Sequence, residues 1–347
     1  MGAQHDLPAH GLPGTGHLLG AAAWGEGGCG DDVRGVVARH MAKRLSNPRK
    51  RAKVAPAPSI PPITGLTNFI DAVTRFAEQD AKFKCYRGQR DTSWENVPGL
   101  FRPDLIEFQK NEKRAVRDLV SVHPHEFSAD QTMFDRLVRM QHFGLPTRLM
   151  DVSRNPLVAL YFATQPDPAG KEADGLVTGF SVPEEREKYY DSDSISCIAN
   201  LANMTSSEKQ SIVELRSQRA KSASRKEEID RLNAESVFQR LHQFIRVEKP
   251  HFLPIIDPID LFKPYYVHPK MSNRRILSQA GGFIISGLVP KTRINFAHQI
   301  TETRFVVPQA LKGPLRQALE RLGIEESTLF PELDRAAKRI TASYPVR

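Results

Sequence analysis

Apolar positions recur at helical spacing from Leu66 to Phe83, with Phe69, Ile70, Val73 and Phe76 on one side, which predicts an amphipathic helix. The spacing then shortens to two. Phe83 and Cys85 alternate with Lys82 and Lys84, predicting a short strand that ends in Arg87-Gly88-Gln89. Helical spacing returns near Glu107 to Val122 and again from Phe134 to Gln141, where Gly144 is a natural C-terminal stop. From Met140 to Ala163 the chain first mixes Gln141, His142, Thr147, Arg148, Asp151, Ser153 and Asn155 with apolar residues, then becomes fully apolar from Leu157. This predicts a polar loop or short strand backed by a buried helix, with Asp151 or Ser153 as cap and Pro156 in the first turn. A strand is expected over Asp174 to Val182. The highly charged Tyr189 to Arg246 reads as a solvated helical insert at about 185–246. Extended segments (Phe252 to Ile259, Tyr265 to Val267), a short helix at Arg274 to Gln279, strands entered at Gly281 and at Thr303, and a helix over Ala310 to Leu322 complete the pattern. The expected class is α+β, a small mixed sheet surrounded by helices.

Composition changes this picture mainly at the N-terminus. Residues 1–60 are rich in Gly, Pro, Ala and His without a persistent apolar period, and are expected to be a disordered, Pro-rich arm before a single domain at 61–347. Met41 to Ala57 carries Lys43, Arg44, Arg49, Lys50, Arg51 and Lys53 with no acid, a local share of the formal net charge of +9. Such a run either meets a polyanion or is simply solvated. The first residues show no secretory signal, and no apolar run reaches the length of a membrane span, so no membrane partner is expected. Cys29, Cys85 and Cys197 are odd in number and far apart, giving neither a disulfide framework nor metal-ligand spacing. A cytoplasmic protein without a metal is expected.

Candidate chemistry gathers in the central stretch and just upstream of it. His142 is a candidate acid or base because imidazole titrates near neutrality. Asp151 would orient it, or would brace Arg148 as an internal ion pair. Arg87, in an aromatic-Arg-Gly segment at a strand end, would aim a guanidinium into a cleft with Gly88 leaving room for a ligand; the alternative is an Arg that bonds backbone carbonyls. Arg87, His142 and Asp151 are therefore the catalytic candidates, and Tyr86, Gly88, Gln89, Gln141, Thr147, Arg148, Ser153, Asn155, Arg275 and Gln279 the binding candidates. Gly-x-Ser-x-Gly, His-Glu-x-x-His, Cys-x-x-Cys and phosphate-loop patterns are absent, which argues against a serine hydrolase, a zinc site, a kinase and a Rossmann dehydrogenase.

Gln141-His142-Phe143-Gly144-Leu145-Pro146-Thr147-Arg148-Leu149-Met150-Asp151, with Asn155 to Ala163, closely resembles the core motif of the FRG domain. Tyr86-Arg87-Gly88 stands where that family has Phe-Arg-Gly, and Arg275 with Gln279 to Phe283, then Gly323 to Asp334, resemble its later parts. The chain is also similar to arginine-type ADP-ribosyltransferases. In that likeness Arg87 would hold a phosphate or ribose of NAD, used as substrate, and Ser153 would brace the nicotinamide pocket. The likeness places a Glu on a late strand; here Glu302 to Pro308 is the matching segment, with Arg304 in the position of that Glu and Glu302 two residues early. The resemblance implies an ADP-ribosyltransferase-like effector or toxin in a microbial defence or toxin system, acting on nucleic acid or a protein acceptor. The alternatives are a nucleic-acid-binding or nucleic-acid-processing protein, in which Arg87, Arg148 and Arg275 contact phosphates, and a non-catalytic interaction module.

Overall fold

The computed structural model describes residues 61–218, 224–271, 273–289 and 298–331. The chain divides into two units, Met1–Ala55 and Pro56–Arg347. The arm expected over residues 1–60 lies outside the described residues, and the second unit carries everything that follows.

The strands are β1 (Phe83–Gln89), β2 (Leu149–Ser153), β3 (Gly175–Val182), β4 (Glu187–Tyr189), which lies inside the segment expected to be a helical insert, β5 (Tyr265–His268), β6 (Gly281–Ile285) and β7 (Thr301–Val307). They form one seven-stranded sheet in the order β4-β5-β6-β2-β1-β3-β7. Only β4 and β5 run parallel; the other neighbours are antiparallel. The fold is α+β with a mixed sheet. β1 pairs with β3 along its whole length, from Phe83 opposite Val182 to Gln89 opposite Leu176. Its pairing with β2 is confined to Tyr86 opposite Ser153. A narrow seam therefore joins two halves, β1-β3-β7 and β2-β6-β5-β4.

Helix α1 (Leu66–Glu78) starts where its apolar stripe starts and buries Phe69, Ala72, Val73 and Phe76. The expected helix at Glu107 to Val122 is broken at Asn111 into α2 (Ile106–Lys110) and α3 (Glu112–Val122). Helix α4 (Met133–His142) is opened by a reciprocal cap between Thr132 and Asp135, and Gly144 follows it at a φ of 87°. Helix α5 (Pro156–Ala163) is capped by Asn155, whose side chain accepts from the Leu157 N–H, rather than by Asp151 or Ser153, which belong to β2. Asn155 is the residue directly before Pro156, which leaves its side chain within reach of the second helical N–H.

Side chains alternate across the sheet. On one face Gly88 and Gly175 lie directly beneath α5: a Cβ on Gly88 would stand 1.8 Å from the Ala159 carbonyl oxygen, and one on Gly175 2.2 Å from that of Ala163. The space beside Gly88 thus holds a helix backbone, not the approach of a ligand. On the opposite face Cys85, Met150, Val152, Phe180, Val182, Tyr266 and Ile284 make a small cluster drawn from strands alone. The core beside α5 joins α1, α5, β7 and α11 (Gln309–Arg321).

The charged segment expected to be a solvated insert is largely structural. Its helices α6 (Asp193–Asn200), α7 (Ser206–Ser217), α8 (Arg225–Asn233) and α9 (Ser236–Glu248) supply Ile195, Ile198, Ile212, Leu232, Phe238 and Leu241 to the same core as α4. Charge counted along the chain hid an apolar stripe that each of these helices turns inward. Phe252 to Ile259 likewise departs from the expected extended form, entering a 3-10 turn at Pro258–Phe262.

Candidate functional site

At the seam, β1 carries Arg87 on the face away from α5. Its Nη1 donates to the Asp151 carbonyl oxygen at 2.8 Å, bridging the halves beyond the single paired position. Its Nε has no partner. Burial lowers the Arg87 pKa; the Asp151 carboxylate opposes this and Arg102 adds to it. The alternative role, bonding a backbone carbonyl, is therefore part of what Arg87 does. Ser153 is bound to backbone: its hydroxyl donates to the Gln279 carbonyl at 2.7 Å and accepts from the Asn155 N–H at 2.9 Å.

Beside Asp151 a cleft of about 50 Å³ opens between α4, β2, β6 and α10 (Arg274–Ser278), lined by Gln141, His142, Asp151, Asn273, Arg275 and Gln279 among others. It shares His142, Asn273, Val138 and Ile276 with a larger groove of about 510 Å³ along α4. A relay fixes its acid. Thr147 Oγ1 donates to Gln141 Oε1 at 2.7 Å, and Gln141 Nε2 donates to Asp151 Oδ2 at 3.0 Å and to the Leu149 carbonyl at 3.3 Å. Asp151 itself is exposed. His142 packs edge-on against Phe143 at 5.1 Å between ring centres. The Arg275 guanidinium lies 4.9 Å from the centre of the Phe330 ring, and Gln279 Nε2 donates to the Leu329 carbonyl at 3.0 Å. The end of helix α12 (Glu326–Leu329) and Phe330 after it thus hold Arg275 and Gln279 in place.

The structure brings Gln141, His142, Asp151, Arg275 and Gln279 together, with Thr147 one bond behind. It does not bring the other candidates into this cleft. Arg148 makes no brace with Asp151. The alternation of β2 separates them, and Arg148 instead donates to Glu112 Oε2 at 2.6 Å and to the Gly287 carbonyl at 2.9 Å. Tyr86 packs edge-on against Phe76, and burial pushes its phenol up to about 12. Gln89, two residues beyond Arg87 on the same face, is 5% exposed; its Nε2 reaches the Glu95 carbonyl at 3.4 Å and its Oε1 has no partner.

The late strand clarifies the offset acid. Arg87 lies opposite Thr178, which lies opposite Arg304, while Cys85 lies opposite Phe180 and Phe180 opposite Glu302. An offset of two residues keeps a side chain on its face of a sheet, so Glu302 and Arg304 both share the Arg87 face. Burial raises the Glu302 pKa although the side chain still reaches solvent; Asn96 and Arg304 work against the shift. The Arg304 guanidinium donates to the Thr92 carbonyl at 3.2 Å, on the loop that follows β1. Sequence reasoning gave no signal for Asn96 or Asn273, which reach their places only through the loop after β1 and the turn before α10.

A family model described as the FRG domain matches residues 82–172. The chain carries an FRG domain. The FRG segment spans β1 through α5 and so contains Arg87, the Thr147–Gln141–Asp151 relay and the capped helix. The later likenesses, at Arg275 to Phe283 and Gly323 to Asp334, lie beyond the match, as does Glu302. No curated protein and no solved structure matches the chain. Among the described residues no helix is long and apolar enough to cross a membrane, and no group of three or more His, Cys, Asp or Glu side chains is placed to hold a metal.

Proposed function

We propose that this FRG-domain protein uses NAD as a substrate and transfers its ADP-ribosyl group. The observation that carries the reading is the shared face of Arg87 on β1 and Glu302 on β7, with β3 between them. Strands spaced at roughly 4.8 Å put these two rows about 10 Å apart, a distance a dinucleotide can bridge. The residues present suit such a substrate: Arg87 Nε and Gln89 Oε1 are a buried donor and acceptor with no protein partner, on the same side of one strand. A guanidinium suits a phosphate or ribose edge.

In this reading Arg87 holds the phosphate or ribose, and Glu302 faces the ribose carbon as positive charge develops there. The glycosidic C–N bond breaks, nicotinamide leaves with the electron pair, and a nucleophile of a nucleic acid or protein acceptor attacks the ribose carbon. Arg304, tethered to the Thr92 carbonyl, sits beside Glu302 and bears on the same carboxylate. A role as an effector or toxin in microbial defence rests on the family likeness alone. The deciding experiment incubates the full chain with isotope-labelled NAD and mixed RNA, DNA and protein acceptors. Label transfer or nicotinamide release that falls at least about a hundredfold in Arg87→Ala and Glu302→Gln is expected. Absence of turnover at millimolar NAD, or turnover untouched by both changes in folded protein, would overturn the reading.

A further inference from the structure

Arg148 leaves a question that the cleft beside Asp151 does not answer. It is one of the largest fully buried side chains, 2% exposed, and it shares a single carboxylate with another buried cation. Glu112 Oε2 accepts from Arg148 Nη2 at 2.6 Å and from Lys209 Nζ at 2.7 Å. Glu112 is 2% exposed and Lys209 8%. Two buried cations around one buried acid leave a surplus of one positive charge in a region of low dielectric, where an unbalanced charge is unfavourable. Among the described residues no further acid is in hydrogen-bond contact with either cation, although Glu208 acts on Lys209 through space; the other bond of Arg148 goes to the Gly287 carbonyl, and its Nε has no partner.

The surplus faces a cavity. A pocket of about 220 Å³ is lined by Arg148 and Lys209, with Lys110, Ser206 and Gln210 toward its rim and Phe101 and Gly287 among its walls. Ser206 is the first residue of the twelve-residue helix α7, so the positive end of that helix opens on the same space. Thr205 and Glu208 cap this terminus reciprocally, which fixes its geometry. Lys110 at the rim is neutralised by Glu107 at 2.6 Å and adds little. Burial lowers the Lys209 pKa, with Glu112 pulling it back and Arg148 lowering it further. An anion in the pocket would relieve both the surplus and this strain on the ammonium.

We infer that the pocket between Arg148, Lys209 and the N-terminus of α7 is a binding site for a phosphate group, either free or carried on a small molecule. A guanidinium and an ammonium lining one half-open pocket at a helix N-terminus match a tetrahedral anion with several acceptor oxygens better than a planar or monodentate one. The site is separate from the seam at Arg87, and it stands whether or not the chain uses NAD.

The test is titration calorimetry of the full chain with inorganic phosphate, with a phosphomonoester such as glycerol 2-phosphate, and with acetate, at constant ionic strength. Phosphate or its ester is expected to bind with a Kd of about 1 mM or tighter. Lys209→Gln and Gln210→Glu are each expected to weaken binding at least about tenfold. Gln210 is exposed, so Gln210→Glu adds a repelling charge at the rim without disturbing the core and decides the matter if Lys209→Gln fails to fold. Tighter binding of the ester identifies a phosphorylated small molecule as the ligand; equal or weaker binding identifies free phosphate. No saturable heat from either at about 10 mM, or binding insensitive to Gln210→Glu, would overturn the inference.

Discussion

Arg87 and Arg148 look alike in the sequence, each an Arg beside a structured apolar segment, yet one bridges the seam of the sheet and the other is sealed against Glu112. What separates them is the element packed against each: the seam with β2 at Asp151 for Arg87, and α3 and α7 through Glu112 for Arg148. Strand alternation recovers Glu302: two residues of offset along β7 change its row and not its face. Because burial raises its pKa above the ordinary glutamate value of 4.5, an activity that needs the ionised carboxylate falls on its acid side at a pH above 4.5. A rate–pH profile measures this limb. A limb at or below the ordinary value would remove Glu302 from the reaction, and an unchanged limb in Glu302→Asp would do the same.

At the scale of elements, the contact of α5 with β1 and β3 organises the FRG segment. The helix is apolar all round, buries Val158, Ala159, Leu160, Tyr161 and Ala163, and has a fixed start at Asn155-Pro156. It comes so close because Gly88 and Gly175 present no Cβ. Gly88→Ala would drive a methyl group into the Ala159 carbonyl, which is backbone and has no rotamer to yield, and is expected to cost about 3 kcal/mol or more. The denaturant midpoint checks it. A variant within about 0.5 kcal/mol of the parent would show that α5 lies further from the sheet.

Across the whole molecule, Glu112 ties α3, the entry to β2 and α7 into one unit through Arg148 and Lys209. Burial works to raise its pKa, but the two cations outweigh it, so the folded value lies below 4.5. Its contribution is therefore complete at neutral pH and is lost as pH falls below 4.5 through the folded value. Glu112→Ala removes the acid that two buried cations share and is expected to destabilise by about 3–5 kcal/mol at pH 7. The deficit against the parent is expected to shrink as pH falls below 4.5. Thermal melts of both proteins across that range measure it; a constant deficit would mean that the packing of Glu112, not its charge, holds the three elements.

The sequence by itself determined the elements and the family segment. Period-two and helical spacing placed β1, α1, α4, α5 and β7 within a few residues, since those patterns come from one strand pleat or one helical turn and are local by nature. It also carried the polar stretch that supplies Gln141, His142 and Asp151 to one cleft. Tertiary structure alone decided the rest. Whether Arg148 meets Asp151 or Glu112 depends on a residue 36 positions away, and whether Gly88 faces a ligand or a helix depends on how α5 returns over β1. The charged segment became core because α6 to α9 pack inward, a fact that charge per residue does not contain. Glu302 gained its place on the Arg87 face, two residues out of register with it, only when β3 fixed the register of both neighbours, because pairing across a sheet is set by hydrogen bonds between segments far apart in the chain.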